Sequence, residues 1–205
     1  MRERASAVRS IGCTVLAAGA GSRFGTPGDK LVAMTAGKPL AQHAIDAAAA
    51  SRASCCSLIV GAAADRVLAA VDSRRLAVYA NDRWETGIGS SIALAAATHQ
   101  KDDAFVLMLA DAPLVGVADI DALIAAWLAK PDRPAALRSG AVWGSPAIFP
   151  RSMYGALARL SGDRGAKGSV LNSDRVTLVE ASARSAFADV DRPRDLTRLR
   201  AGRTT

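Results

Sequence analysis

Ile11-Gly-Cys-Thr-Val-Leu-Ala17-Ala18-Gly19-Ala20-Gly21-Ser22-Arg23-Phe24-Gly25 is an apolar run that passes directly into a glycine-rich turn. Seven apolar or small residues bounded by glycine read as a strand buried on both faces. Leu58–Val60, Leu76–Ala80 and Phe105–Leu109 read in the same way, and Pro39–Ser51, Ala63–Val71, Gly87–Thr98 and Val117–Ala129 have helical character. Repeated alternation of strand and helix predicts right-handed βαβ units, hence a doubly wound α/β domain with a mainly parallel sheet and helices on both faces. Beyond Lys130 the pattern loosens. A turn at Pro131–Pro134, strands at Pro146–Phe149 and Val176–Glu180, and helices at Ser152–Leu160 and Pro193–Leu199 are expected.

The turn after the first strand has the chemistry of an anion site. Ala17, Ala18, Gly19 and Gly21 let the backbone approach a ligand, and successive N–H groups in such a turn form a nest for phosphate. Arg23 and Lys30 would add fixed positive charge where pyrophosphate departs from a nucleoside triphosphate. A dinucleotide fingerprint would need a third glycine where Phe24 stands, and an acidic residue where the second strand runs into Val60-Gly61. No Gly-Lys-Ser/Thr follows, so the turn is not a Walker loop. The competing reading is a glycine turn used only for tight packing.

Metal-dependent phosphoryl chemistry also needs carboxylates. Phe105-Val-Leu-Met-Leu-Ala-Asp111-Ala-Pro113 puts Asp111 at the carboxyl end of an apolar strand, the edge where open α/β sheets collect their ligands. As a hard oxygen donor Asp111 could hold Mg²⁺ against phosphate oxygens, or it could cap the turn before Pro113. Asp189 and Asp191 in Phe187-Ala-Asp189-Val-Asp191-Arg-Pro193 fall on one face of an extended segment, and either could complete the metal shell. Asp191 could equally cap the helix that opens at Pro193.

Composition narrows the partners. The 205 residues carry 26 Lys+Arg against 19 Asp+Glu, a formal charge of +7 that favours anionic ligands. The basic residues are scattered, and only three Trp, two Tyr and four Phe are present to stack on bases, which argues against nucleic acid. No stretch approaches the roughly 20 apolar residues of a membrane span, and residues 1–10 lack the apolar segment of a signal peptide. Cys13, Cys55 and Cys56 form neither an even disulfide set nor a spaced metal motif, so a reducing cytoplasm is the expected compartment. Neither His43 nor His99 falls in a motif, and Ser90 and Ser91 lack a nucleophile elbow. One domain is expected over 11–200, with loosely attached ends at 1–10 and 201–205.

Taken together, Leu16-Ala-Ala-Gly-x-Gly-x-Arg-x-Gly25 with Lys30 resembles the MobA-like nucleotidyltransferases. More narrowly, the chain is similar to the molybdenum cofactor cytidylyltransferases, through Asn81-Asp-Arg-Trp84-x-x-Gly87-x-x-x-Ser91, Ala110-Asp-Ala-Pro113, Gly144-Ser-Pro146, Gly162-Asp-Arg-Gly-Ala-Lys167 and Asp189-Val-Asp191-Arg-Pro193-Arg-Asp195-Leu196. The resemblance implies a Rossmann-like fold of the nucleotide-diphospho-sugar transferase type. It implies NTP held by Leu16, Ala17, Ala18, Gly19, Gly21, Arg23 and Lys30, with Asn81, Gly87 and Ser91 beside base and ribose. Mg²⁺ would sit on Asp111 with help from Asp189 or Asp191, and Arg23, Lys30 and Asp111 would be the catalytic set. Pro113, Gly144, Gly162, Asp163 and Lys167 would face the acceptor. Ala17-Ala18-Gly19 is similar to the cytidylyltransferase opening, so CTP is the implied donor. The implied acceptor is an anionic phosphorylated small molecule such as molybdopterin, with a molybdoenzyme or its accessory factor as protein partner. Ala112 stands where the family usually has glutamine, and Ser145 where it often has histidine or another polar group, and both departures bear on the acceptor. A sugar or polyol phosphate acceptor, and a non-catalytic nucleotide or cofactor carrier, are the alternative readings.

Overall fold

The apolar runs become one seven-stranded sheet in the computed structural model, which describes residues 9–22, 24–26, 29–171, 173–182 and 195. In chain order the elements are β1 (Ile11–Ala17), α1 (Asp29–Val32), β2 (Met34–Thr35), β3 (Lys38–Pro39), α2 (Leu40–Ala50), β4 (Cys55–Val60), α3 (Ala64–Ala70) and β5 (Ala77–Ala80). They continue with α4 (Ile88–Thr98), β6 (Ala104–Leu109), α5 (Val117–Ala129), β7 (Ala135–Ser139), β8 (Val142–Pro150), α6 (Tyr154–Leu157) and β9 (Thr177–Glu180). The sheet order is β5-β4-β1-β6-β8-β7-β9. Strands β5, β4, β1 and β6 are parallel, whereas β8 runs antiparallel to both β6 and β7, and β9 returns parallel to β7. The fold is thus the expected mainly parallel, Rossmann-like α/β type, with one reversed strand inside it.

Every residue of β1 is buried. Its alternate side chains feed two cores, as the period of two in a strand requires. Cys13, Val15 and Ala17 face the layer of α2 and α5, where Ala44, Ile45, Leu123 and Trp127 pack. Leu16 faces Ile59, Ile92, Phe105 and Phe149 on the other side, beneath α4 and α6. Alanines at 41, 44, 47 and 48 let α2 lie close on the sheet, because small side chains shorten the distance between layers.

The expected strands and helices up to Ala129 appear with shifts of at most a few residues. Ala135–Ser139, for which no element is expected, is a strand between β8 and β9. The segment Ser152–Leu160, expected to be helical, keeps only the short α6 preceded by a 3-10 turn at Arg151–Met153. Residues 1–8 and 201–205 of the expected loose ends, and all of the expected last helix except Asp195, lie outside the described residues. No helix among the described residues is long and apolar enough to cross a membrane.

Candidate active site

The first strand ends where its neighbours end, so the loop after β1, the turn after β6 and the start of α4 meet at one sheet edge. They enclose a cavity of about 560 Å³. Leu16, Ala17, Ala18, Gly19, Ala20, Gly21 and Ser22 form one wall, which brings backbone rather than bulk to the ligand. Gly87, Ile88 and Ser91, from the first turn of α4, form another, and a helix N-terminus favours negative charge. Lys30, Glu85, Asp111 and Asp163 are its charged lining among the described residues.

Lys30 and Asp111 are far apart in the chain, yet Lys30 Nζ donates to Asp111 Oδ2 at 2.5 Å. The lysine reaches the carboxylate because α1 is pressed against the core at Leu31, leaving the side chain of Lys30 only 10% exposed. Asp111 follows β6 by two residues, and Ala110 N–H donates to Leu16 O at 3.0 Å, tying that turn to the end of β1. The other oxygen, Asp111 Oδ1, is buried and has no hydrogen-bond partner among the described residues. A buried carboxylate oxygen without a donor is costly. It is the position a hard cation would relieve, so the donor set fits Mg²⁺ or a similar ion.

Asp163 reaches the cavity through an unusually close backbone contact. Gly87 has φ +97°, and a Cβ there would lie 2.4 Å from the carbonyl carbon of Gly162 and 2.7 Å from Asp163 N. Gly89 N–H then donates to Gly162 O at 2.9 Å, fastening the 160–165 loop onto the start of α4.

Several expected residues stand elsewhere. Asn81 is buried and does not line the cavity: its amide donates to Ser90 Oγ and Ser91 Oγ, both at 2.9 Å, and its Oδ1 accepts from Arg83 N–H. Its hydrogen bonds hold the 81–91 segment in shape, with Ser91 left on the cavity wall. Gly144 is buried within β8, opposite Leu137 at a bulge. Pro113 is partly buried beyond Asp111, outside the cavity lining. Lys167 is exposed, donates to Trp143 O at 2.6 Å and lies 4.4 Å over the Trp143 ring. It lines a neighbouring crevice of about 780 Å³ with Arg159 and Arg164, and Asp163 borders both spaces. Arg23, Asp189 and Asp191 lie outside the described residues.

Trp84, Glu85 and Leu109 also line the cavity and were not singled out from sequence. Trp84 and Glu85 sit inside the quoted Asn81–Ser91 motif, and the rarity of aromatics in this chain was the available signal for Trp84. His43 and His99 are both absent from this lining. His43 Nε2 approaches Thr35 O at 3.0 Å.

Residues 13–177 match the family model described as MobA-like NTP transferase domain. The chain belongs to this family. Among curated relatives, the nicotine blue oxidoreductase of Paenarthrobacter nicotinovorans is 29% identical over 197 residues, covering 90% of this chain and 94% of that protein. The crystal structure of an Rv0371c homologue from Mycobacterium sp. strain JC1 superposes with a TM-score of 0.81 at 27% identity, covering 95% of this chain and 98% of that one. The Mycobacterium tuberculosis H37Rv protein Rv0371c, solved in complex with manganese, has a TM-score of 0.76 at 27% identity, covering 94% and 98%. The matches to two bifunctional GlmU proteins, of Alcanivorax borkumensis and Bordetella petrii, span only 23% and 24% of those longer chains. The chain therefore carries a nucleotidyltransferase domain of the MobA-like family.

Proposed function

We propose that this protein transfers a nucleoside monophosphate from an NTP to a phosphorylated acceptor, releasing pyrophosphate, in a reaction that requires Mg²⁺ or Mn²⁺. The observation that carries the reading is the meeting of Lys30 and Asp111 at the mouth of the glycine loop, with Asp111 Oδ1 buried and without a hydrogen-bond partner among the described residues. Among the described lining residues, Lys30 faces three acids, Glu85, Asp111 and Asp163. Such a lining repels a bare triphosphate but suits a metal–NTP complex, whose cation compensates the carboxylates. The manganese complex of Rv0371c supports a divalent ion at a related domain.

In this reading the loop from Ala17 to Ser22 holds the phosphates through its backbone, and Ser91 and Trp84 flank the nucleoside. Arg23 would join the phosphate contacts, and Asp189 or Asp191 would join Asp111 around the metal. A bound divalent ion would neutralise phosphate charge and polarise the phosphoryl group. Lys30 then exchanges its carboxylate partner for the departing pyrophosphate, placing its charge where negative charge grows. An acceptor phosphate oxygen forms the new bond to the α-phosphorus while the bond to the β-phosphate oxygen breaks. That nucleophile is already ionised near neutral pH, so no general base is required and positioning suffices.

CTP as donor and a molybdopterin-type acceptor rest on the Ala17-Ala18-Gly19 opening and on the ordered motifs. Asp163, Arg164 and Lys167, together with Arg159, put mixed charge beside the cavity where an anionic acceptor would enter. The reading makes the protein a donor of modified cofactor to a molybdoenzyme or its accessory factor, within the cytoplasm. The test is pyrophosphate release by purified protein with CTP, GTP or ATP, Mg²⁺, and molybdenum cofactor or a polyol phosphate as acceptor. Turnover with CTP and the molybdenum cofactor supports the reading. Turnover only with a polyol phosphate replaces the acceptor, and no turnover alongside metal-independent NTP binding favours a carrier.

A further inference from the structure

At the opposite end of the parallel strands, Cys55, His99 and Asp102 converge. Cys55 opens β4, His99 caps the C-terminus of α4, and Asp102 lies in the turn leading into β6. Seven residues of β1 separate this cluster from the glycine loop, roughly 20 Å at the rise of a strand. His99 Nδ1 is 2.7 Å from Asp102 Oδ2 and 3.9 Å from Cys55 Sγ, and Cys55 Sγ is 3.5 Å from Asp102 Oδ2.

The arrangement is built from below. Gly12 stands beside Cys55 in the β1–β4 pairing, and a Cβ on Gly12 would lie 2.1 Å from His99 Nδ1 and 2.3 Å from Cε1. Only a glycine leaves the niche that the imidazole fills, with Phe105 stacked against the ring at 5.1 Å. On its far side, His99 Nε2 is 2.7 Å from Thr14 Oγ1 and 3.3 Å from Ser57 Oγ. Ser10 Oγ donates to Asp102 Oδ1 at 2.5 Å. His99 and Asp102 are buried, whereas Cys55 is exposed and gives access from solvent.

Three chemistries could use these groups. A cysteine nucleophile needs its thiol and the orienting carboxylate on opposite nitrogens of the imidazole. Here both approach Nδ1, so no relay exists. The Cys55 thiol is also pushed up to about 11, first by partial withdrawal from water and then by the Asp102 carboxylate, which opposes thiolate formation in the absence of a cation. A purely structural polar cluster would account for the His99–Asp102 contact and for a thiol donating to Asp102 Oδ2, but it makes no use of three ligand-type atoms gathered within 4.8 Å at a point that solvent reaches. Chelation accounts for all three. Tetrahedral zinc with bonds of about 2.0–2.3 Å sets its ligand atoms about 3.3–3.7 Å apart. The three observed separations bracket that range, with the nitrogen–oxygen pair needing to open and the sulfur–nitrogen pair to close slightly.

We propose that Cys55, His99 and Asp102 form a binding site for one Zn²⁺-class ion, independent of the nucleotide cavity, with solvent as the fourth ligand. Ion binding displaces the thiol proton to solvent and moves the imidazole proton from Nδ1 to Nε2, where it donates to Thr14 Oγ1 or Ser57 Oγ. Those hydroxyls are the outer partners that a metal-bound histidine needs, and Ser10 plays the same part for Asp102.

The test uses the full chain stripped of metal by chelator, titrated with Co²⁺ as a spectroscopic probe and with Zn²⁺ in competition. The expected result is one saturable equivalent of Co²⁺ showing thiolate-to-metal charge transfer and four-coordinate ligand-field bands, all displaced by Zn²⁺. Cys55→Ser removes the charge-transfer band and weakens Zn²⁺ binding at least tenfold. Asp102→Asn weakens Zn²⁺ binding at least tenfold while retaining the thiolate band, and Asp111→Asn leaves both readouts unchanged. Absence of a saturable thiolate–Co²⁺ signal from the wild-type protein overturns the proposal without any variant. Persistence of that signal in Cys55→Ser, or its loss in Asp111→Asn, overturns it equally.

Discussion

Asp111 has one oxygen on Lys30 and the other buried without a partner among the described residues. The two oxygens predict different consequences for two substitutions. Asp111→Asn removes a hard anionic donor while keeping shape, so the metal-dependent step should fall by about 10²-fold or more, consistent with several kcal/mol of charge stabilisation. Single-turnover pyrophosphate release measures this, and near-normal transfer in the variant would refute the metal role of Asp111. Lys30→Met keeps the alkyl stem and removes the charge, so it should raise the NTP concentration needed for half-saturation and slow turnover. It also leaves Asp111 without its cation. The destabilisations of the two single variants should therefore not add: a double-variant cycle in urea should show a coupling of about 0.5–3 kcal/mol. Additive effects would mean that the ion pair has no energetic weight in the folded protein.

Elements were legible wherever a long periodic pattern existed, and illegible where the signal was carried by partners. β1 and β6 could be read because each is a short, continuous apolar run bounded by turn signals, and α2, α4 and α5 because their longer segments have helical character between those runs. β7 could not: Ala-Ala-Leu-Arg-Ser has little strand preference of its own and is held as a strand by β8 and β9 on its two sides. The reversal of β8 is likewise a property of the pairing and not of its composition. The meeting of Ala17, Ala18, Gly19, Gly21, Lys30 and Asp111 at one sheet edge could be read from the glycine turn and from the sheet topology. The role of Asn81 in bracing Ser90 and Ser91 needed three dimensions, as did the convergence of His99 with Cys55 and Asp102. The link between α4 and the 160–165 loop belongs to this scale and is testable. Gly87→Ala places a methyl group against Gly162 at a φ of +97°. It should cost about 1–3 kcal/mol in backbone strain. Because Asp163 sits on the displaced loop, acceptor use should suffer more than NTP binding. Urea unfolding and separate binding and turnover assays check this, and an unperturbed variant would show that the contact relaxes without consequence.

For the whole molecule, the formal charge of +7 draws anions toward the surface while the described cavity lining is acid-rich. Long-range attraction and local repulsion are reconciled when the incoming anion carries its own cation. NTP should consequently bind well only with Mg²⁺ or Mn²⁺, and CTP should bind better than GTP or ATP if Ala17-Ala18-Gly19 selects the donor. A ligand present at 100 times its dissociation constant stabilises the folded state by about 2.7 kcal/mol. In a chain of this length each kcal/mol is worth about 2–4 °C of melting temperature, so saturating CTP with Mg²⁺ should raise the midpoint by about 5–10 °C. Thermal melts with each nucleotide, with Mg²⁺ and with chelator, resolve the alternatives. Equal shifts for all three nucleotides would remove the argument for cytidine while preserving the triphosphate site. Equal shifts with and without metal would show that Lys30 and the loop amides bind triphosphate unaided, and Asp111 would then have to be explained as the structural partner of Lys30 alone.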